Sequence, residues 1–525
     1  MVSQHELLAR FRTEFMGLTR DDETLTLGSG RQRRRRVYLD TTATALMPHI
    51  AWDGVAHYLA AASANSHTEA HRAGRDTTRA IEDARAAVGR LVGYDPQRDV
   101  VLFAANGATG AINFLARALF PPELRTVIKH CPSGPSARML EALCEALPQA
   151  SQATVDRLVA QPKVVTTVME HHSNLLPWME AVGHHNLRVA GVCLPDGTLD
   201  LAHLSRILEE EHGRVRLVAV TGVSNVTGIV NDVRRIARLT HAAGAQLLVD
   251  GAQWVPHDPV AMHSGDADES IDFLVLSGHK IYAPGSRGAL IGSLATLEGS
   301  CCASDVGGGM VEYVSIEDYE VKHEVTAREE AGTPNIPGSI SMGLVAEVLM
   351  TIGMDTLAVA EAPLTRRLVA CLAEIPGITI YGSTDVDRVP RAGVVSFAVD
   401  GIPHGLVAAY LDDFHNIAVR DGCFCAQPYV KSLLGIDDTT EKQLIEEILH
   451  GDRRNVPGLV RASLGVYSTG EDIEALCAAL RELREHHAQI VPLYRAGLDG
   501  TYRLVDGTRL ASTFSLADEV RRWVG

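Results

Sequence analysis

IDFLVLSGHKIYAPGSRGALIG, Ile271 to Gly292, decides how this chain reads. An apolar run of strand length ends in Ser277, Gly278, His279 and Lys280, turns through Pro284 and Gly285, and resumes in the short run ALIG. Short apolar runs bounded by turn signals read as buried strands. Upstream, VVLFAA, KVVTTVM, VRLVAVTGV and AQLLVDGA repeat the form, separated by helical patterns from about Ala51 to Met350. Such alternation predicts crossover units and an α/β fold with a mostly parallel sheet between helices. Glu170, Asn225, Asp250 and Lys280 end these runs, and in open α/β sheets the ligand crevice lies at the strands' carboxyl ends.

Beyond the helical stretch near Ile340 to Leu372, the runs GITIYG, GVVSFAVD and VRASLGV predict a smaller α+β domain. The expected organisation is an N-terminal segment (1–50) packing with the small domain, a large domain (51–345), the small domain (346–485) and a C-terminal extension (486–525). In the extension, TYRLVDGTRLA reads as strand, turn and strand around Asp506 and Gly507, before a closing helix SLADEVRRWV. Arg31 to Arg36 form a basic run, read as a solvated segment in preference to a guide for an acidic partner.

The 525 residues, 46% of them hydrophobic, suffice for two or three domains with large cores. Acidic residues outnumber basic ones 65 to 48, and the net charge of −17 argues against nucleic acid or an anionic membrane as the main partner. No signal-peptide pattern or membrane-length apolar window is present, so a cytoplasmic location and a small-molecule substrate are expected. Nine scattered cysteines do not resemble a disulfide framework and are expected to be thiols. Cys193 and Cys371 read as core, and the vicinal Cys301 and Cys302 as inert loop residues.

Lys280 gains meaning from Asp250, which ends the neighbouring run LLVD. A lysine that forms a Schiff base and a carboxylate that keeps a pyridine nitrogen protonated are the pair that pyridoxal phosphate needs. FAANGATGAINFLARAL supplies a strand, a small-residue loop from Asn106 to Thr109 and a helix whose N-terminus can receive a phosphate. His171 and His172 follow Glu170; adjacent residues point apart and no third ligand is suitably spaced, so ring stacking or proton handling suits them better than a metal. No metal site is expected.

VYLDTTATALMP, EHHSNLLPW, VSNVTG, VDGAQ, SGHK, EAGTPN, VRDGCFCAQP and RASLGVYST, in this order, resemble the class V aminotransferase family of fold-type I pyridoxal phosphate enzymes. They are most similar to its cysteine desulfurase and selenocysteine lyase branch, over roughly Val37 to Glu485. The resemblance implies a seven-stranded, mostly parallel large-domain sheet and assigns roles by position. Lys280 becomes the Schiff-base lysine, Asp250 the partner of the pyridinium nitrogen, His171 the residue on the ring and Gln253 the partner of the phenolic oxygen. Ala108, Thr109, Ser277 and His279 match the phosphate site, and Thr333 matches a phosphate contact supplied by the neighbouring subunit, implying a homodimer. Asn225, Arg461, His67 and Arg420 fall on the substrate side, Arg461 with a fork suited to a carboxylate.

The resemblance makes Cys425 the thiolate that takes sulfur or selenium from an L-cysteine-type substrate, leaving alanine and a persulfide for a sulfur-acceptor protein. Arg420 and a helix starting near Pro428 would favour that thiolate. The branch places a Gly-His-His-type sequence before this cysteine, whereas Cys423 and Phe424 stand here. Cys423 could relay sulfur, bond reversibly to Cys425, or mark altered chemistry. The insert DDTTEKQLIEEILHGDRRNVPGLV reads as a lid or partner surface, or as decoration. The alternative function is a carbon–sulfur or other β-lyase, an epimerase or an aminotransferase that does not use Cys425. A non-catalytic binding protein is disfavoured by Lys280, Asp250 and Arg461 together, and two cysteines cannot complete a structural zinc shell.

Overall fold

Fully buried strands read as unbroken apolar runs because helices cover both faces of their sheet. A computed structural model, which describes residues 2–28, 30–121, 125, 160–194, 196–299 and 305–525, places the runs accordingly. Seven strands form the large sheet: β1 (Asp99–Ala104), β2 (Lys163–Thr167), β3 (Leu187–Ala190), β4 (Val215–Thr221), β5 (Gln246–Asp250), β6 (Phe273–Ser277) and β7 (Gly288–Ser293). Their order is β1-β7-β6-β5-β4-β2-β3, with only β7 antiparallel to its neighbours.

Helices α1 (Arg72–Leu91) and α2 (Gly107–Leu119) flank the β1 strand, and α3 (Ile336–Ile352) packs on α1. The IPGSISMGLVAEVLMTI sequence of α3 is apolar on nearly all sides because it is buried on nearly all sides. Asn335 starts it by accepting the Gly338 N–H, with proline in its first turn. No single helix among the described residues is long and apolar enough to cross a membrane.

The smaller sheet has the order β8-β9-β11-β10, from β8 (Ile378–Tyr381), β9 (Val394–Val399), β10 (Arg420–Gly422) and β11 (Leu459–Ser463), all antiparallel. Its core includes Phe397, Tyr410, Leu464 and residues of α4 (Met354–Ala373) and α7 (Gly470–Glu485). Cys371 and Cys477 are joined as a disulfide across these two helices, correcting the expectation of thiols throughout. Cys193 is exposed, correcting its reading as core. Cys301 and Cys302 lie outside the described residues.

The N-terminal segment divides between two cores. Leu8, Phe11 and Phe15 join the cluster containing α3, whereas Leu25 and Val37 join the small-sheet cluster. The arginine run is a strand, Gly30–Arg35, paired with Asp21–Thr26 so that Asp21, Asp22 and Glu23 lie opposite Arg35, Arg34 and Arg33. Opposite charges on facing strands stabilise the hairpin. In the extension, the partner of Tyr502–Leu504 is Tyr494–Ala496, with the turn at Gly497 to Gly500 instead of Asp506 and Gly507. The closing helix, Leu516–Val524, forms as expected and buries none of its residues.

Glu330 ties β1 to α1 and the loop before β7. Its carboxylate accepts from Arg85 at 2.6 Å, Arg287 at 3.1 Å and the Phe103 N–H at 2.8 Å, almost out of water. Removing one partner of a buried charge network leaves the others desolvated and unpaired. Glu330→Ala is expected to lower unfolding stability by about 3–5 kcal/mol. A guanidinium titration in which Glu330→Ala stays within about 1 kcal/mol of the parent would refute this.

Candidate active site

The carboxyl ends of β2, β4, β5 and β6 open onto a cavity of about 210 Å³. Its wall includes Ala108, Thr109, His171, Asn225, Asp250, Ser277, His279, Lys280, Arg420, Cys425 and Arg461. Eleven of the fourteen residues expected at the site therefore meet in one place. Gln253 is buried just behind, donating to the Thr42 carbonyl at 2.9 Å. His67 and Thr333 are exposed and outside the wall.

At one end, β1 passes to α2 through Asn106 and Gly107, both left-handed with φ of 59° and 67°. Glycine is required at the second place: a Cβ on Gly107 would sit 2.8 Å from Ser277 Oγ. Gly288 is required by the same close approach, since its Cβ would fall 2.2 Å from the Gly107 carbonyl carbon. Ala108 N–H donates to Ser277 Oγ at 2.8 Å, and Thr109 Oγ1 shares a 2.6 Å hydrogen bond with Ser173 Oγ. Backbone and hydroxyl donors thus gather at a helix N-terminus, where an anion is favoured.

Lys280 lies at the centre. Burial lowers its ammonium to about 8, against the opposing pull of Asp250. Burial likewise raises the Asp250 carboxyl above its ordinary range, with Lys280 and the Ala252 N–H holding it down. Burial and then Lys280 push His171 down to about 3, so its ring is neutral. Ser173 N–H donates to His171 Nδ1 at 3.1 Å, which leaves the ring proton on Nε2. Burial raises Glu170 to about 8, although Thr167, Asn174 and the Thr221 N–H all donate to it. Glu170 pins the ends of β2 and β4 together and does not line the cavity.

The other end is built by the smaller sheet. Arg461, on the inner strand β11, donates to the Asn225 carbonyl at 3.0 Å and to Asp40 at 3.2 Å, and burial lowers its guanidinium to about 10. Asp40 and Thr42 arrive because Val37–Tyr38 pairs with Ile417–Ala418 and Thr42 N–H donates to Ser463 Oγ. Two buried polar atoms, Thr42 Oγ1 and Arg461 Nε, have no hydrogen-bond partner among the described residues. Asp40, Thr42 and Ser173 join the site beyond the residues expected there, and they stand in the motifs VYLDTT and EHHSN.

Gly422 leads from β10 into the loop bearing Cys423 and Cys425, and α5 (Gln427–Leu434) follows it. The Phe424 ring lies over the Arg461 guanidinium at 4.7 Å, and its carbonyl accepts from Asn225 Nδ2 at 2.8 Å. The Cys425 carbonyl accepts from His172 N–H at 2.7 Å. Cys425 is exposed to the cavity; Cys423 is half-buried and outside its wall. The insert forms helix α6 (Asp438–Leu449), and none of its residues lines the cavity. No group of three His, Cys, Asp or Glu among the described residues could hold a metal.

The family model described as "Aminotransferase class-V" matches residues 37–130 and 144–476. A cysteine desulfurase of Dickeya dadantii (strain 3937) is 31% identical over 450 residues, 85% of this chain and 91% of that protein. A probable cysteine desulfurase of Halalkalibacterium halodurans is 31% identical over 457 residues, 86% of this chain and 94% of its own. Among solved structures, the apo cysteine desulfurase from Thermococcus onnurineus NA1 superposes with a TM-score of 0.68 at 28% identity, covering 86% of this chain and 95% of its own. The cysteine desulfurase CsdA (S-sulfonic acid) from Escherichia coli gives 0.65 at 26% identity, over 91% and 98%.

Proposed function

Because this chain belongs to the class V aminotransferase family, we propose that it acts as a pyridoxal phosphate-dependent, cysteine desulfurase-like enzyme, converting an L-cysteine-type substrate to alanine and a Cys425 persulfide. The observation that carries the reading is the meeting of Lys280, Asp250, Asn225, Arg461 and Cys425 on one cavity, from strands of both sheets and the loops that follow them. Its donor set fits the cofactor. A buried lysine near an aspartate, a helix N-terminus with hydroxyls, and unpartnered Thr42 Oγ1 and Arg461 Nε are groups that an anionic pyridine derivative and an amino acid would satisfy.

Lys280 would hold pyridoxal phosphate covalently, with Asp250 at its ring nitrogen, Gln253 at its phenolic oxygen and His171 beside the ring. Ala108, Thr109, Ser277 and His279 would take its phosphate. The bound cofactor would supply the electron sink that makes the substrate α-proton removable.

This chain's own groups do the rest. Arg461 and Asn225 hold the substrate carboxylate, aided by Arg420, and set the β-carbon toward the Cys425 loop. Lys280 would carry the α-proton as a general base and acid. Cys425 attacks as a thiolate, the new S–S bond forming as the C–S bond breaks, and the carbon product is reprotonated to alanine. An external thiol, carried by an acceptor protein, then accepts the sulfur. Exposed Thr333 fits a homodimer in which it serves the second copy's phosphate site. A cytoplasmic location and His67 on the substrate side belong to the same proposal.

Supplying the pyridoxal phosphate-loaded protein with L-cysteine and measuring alanine, pyruvate, sulfide and protein persulfide separately tests the reading. Alanine with persulfide, in equal amounts in the first turnover, is the expected result. Pyruvate with free sulfide would assign a β-lyase instead.

A further inference from the structure

The turn that carries Cys425 carries a second thiol. Ala426 N–H donates to the Cys423 carbonyl at 2.8 Å, and the two central residues, Phe424 and Cys425, have φ of 53° and 55°. A turn of this hand normally takes glycine, asparagine or aspartate at both central places. A side chain held there crowds its own backbone and is strained. The hydrogen bonds to the Phe424 and Cys425 carbonyls and the Phe424–Arg461 stack offset that strain. Cys423 and Cys425 consequently occupy the first and third positions of one tight turn. Their Cα atoms are separated by at most about 7 Å, the outer limit at which two cysteines can be bridged without backbone movement.

The two thiols nevertheless meet different surroundings. Cys425 lines the cavity, and its charge acts on both Lys280 and Arg461. Cys423 is off the cavity wall, half-buried, with the Gln427 side chain hydrogen-bonded to it and Arg453 supplying the positive charge on its side. One turn thus joins an exposed sulfur on the cavity wall to a half-buried sulfur off it.

We propose that Cys423 is a second sulfur-carrying site, which receives the persulfide sulfur from Cys425 and presents it outside the cavity to an external thiol. This rests on the desulfurase reading above. The Cys423 thiolate attacks the outer sulfur of the protonated Cys425 persulfide; a Cys423 Sγ–S bond forms as the Cys425 Sγ–S bond breaks. The electron pair of the broken bond leaves with Cys425 as its thiolate, and the proton stays on the transferred sulfur. No net oxidation or reduction occurs, and Cys425 is returned ready for another substrate. Burial, then the Cys425 charge, raises the Cys423 thiol above its ordinary range, so the transfer quickens as pH rises and more of the attacking thiolate forms.

The test uses the full chain loaded with pyridoxal phosphate, one equivalent of L-cysteine and quenching with iodoacetamide over time. Trypsin releases DGCFCAQPYVK, Asp421 to Lys431, and fragmentation of this peptide places the extra sulfur atom on either cysteine. The expected result is a mark on Cys425 first and then on Cys423, the second growing faster at higher pH. In Cys423→Ser the mark is confined to Cys425, and its release to added 2-mercaptoethanol slows at least about tenfold. A mark found only on Cys425 at every time and pH, or release unchanged in Cys423→Ser, would overturn the relay. A mark on Cys423 in Cys425→Ser would overturn its order. If neither alanine nor any mark forms, the desulfurase reading itself falls and the relay with it.

Discussion

Cys425→Ser is expected to form no persulfide and to lose alanine production by a factor on the order of 10⁴ or more, the scale on which removing a catalytic nucleophile acts. A serine hydroxyl is neither ionised at neutral pH nor suited to attack at sulfur, so the step that breaks the C–S bond has no acceptor. Lys280, Asp250, Asn225 and Arg461 are untouched by the change. The variant should therefore still bind pyridoxal phosphate, show its visible absorption band and respond spectrally to L-cysteine. This split between intact binding and lost transfer separates a chemical role from a structural one. The loop also offers an internal check: Cys423 lies off the cavity wall and should not replace the missing thiol. Full alanine production by Cys425→Ser would refute the assignment, and pyruvate in its place would point to a β-lyase.

The sheet was legible because its strands are buried on both faces, which leaves apolar runs such as FLVLS and LLVD with polar residues only at their ends. The site was legible to the extent that it is built from those ends. Asp250 and Lys280 are read from two adjacent parallel strands, so their meeting follows from the topology. What depended on distant pairing was not legible. Asp40 and Thr42 reach the site through a pairing of Val37–Tyr38 with Ile417–Ala418, and nothing local to either segment announces it.

The arginine run is solvated, as its charge implies, but its pairing with the acidic strand Asp21–Thr26 was not legible, because a polar hairpin has no hydrophobic period to show itself. The C-terminal hairpin went to the wrong turn because its first strand, Tyr494–Ala496, is three residues with an arginine at the centre. The Cys371–Cys477 contact spans 106 residues and exists only once α4 lies on α7. Phe424 is the clearest case in the site. Its spacing from Cys425 marked it as a departure, but its ring on Arg461 and its carbonyl on Asn225 require three segments to converge.

Lys280→Ala is expected to abolish the visible band of the loaded protein and to lower turnover by about 10⁴–10⁶, since attachment and proton transfer are lost together. The titration of Lys280 gives a finer test. Its ammonium, lowered by burial from 10.5 to about 8, must lose a proton before the amine can attack the cofactor aldehyde. Loading of the apoprotein with pyridoxal phosphate should therefore quicken about tenfold per pH unit below this value and level off above it. Folding shows the matching sign: between about 8 and 10.5 the unfolded chain binds more protons at this position, so the contribution of Lys280 to apoprotein stability rises with pH. Neighbouring charges move the inflection in opposite directions. Asp250 holds the proton on and Arg461 drives it off, so Asp250→Asn should shift the loading inflection to lower pH and Arg461→Met to higher pH. A passive lysine would leave the loading profile without an inflection near 8, and equal shifts in both variants would show that the charges of Asp250 and Arg461 do not act on it.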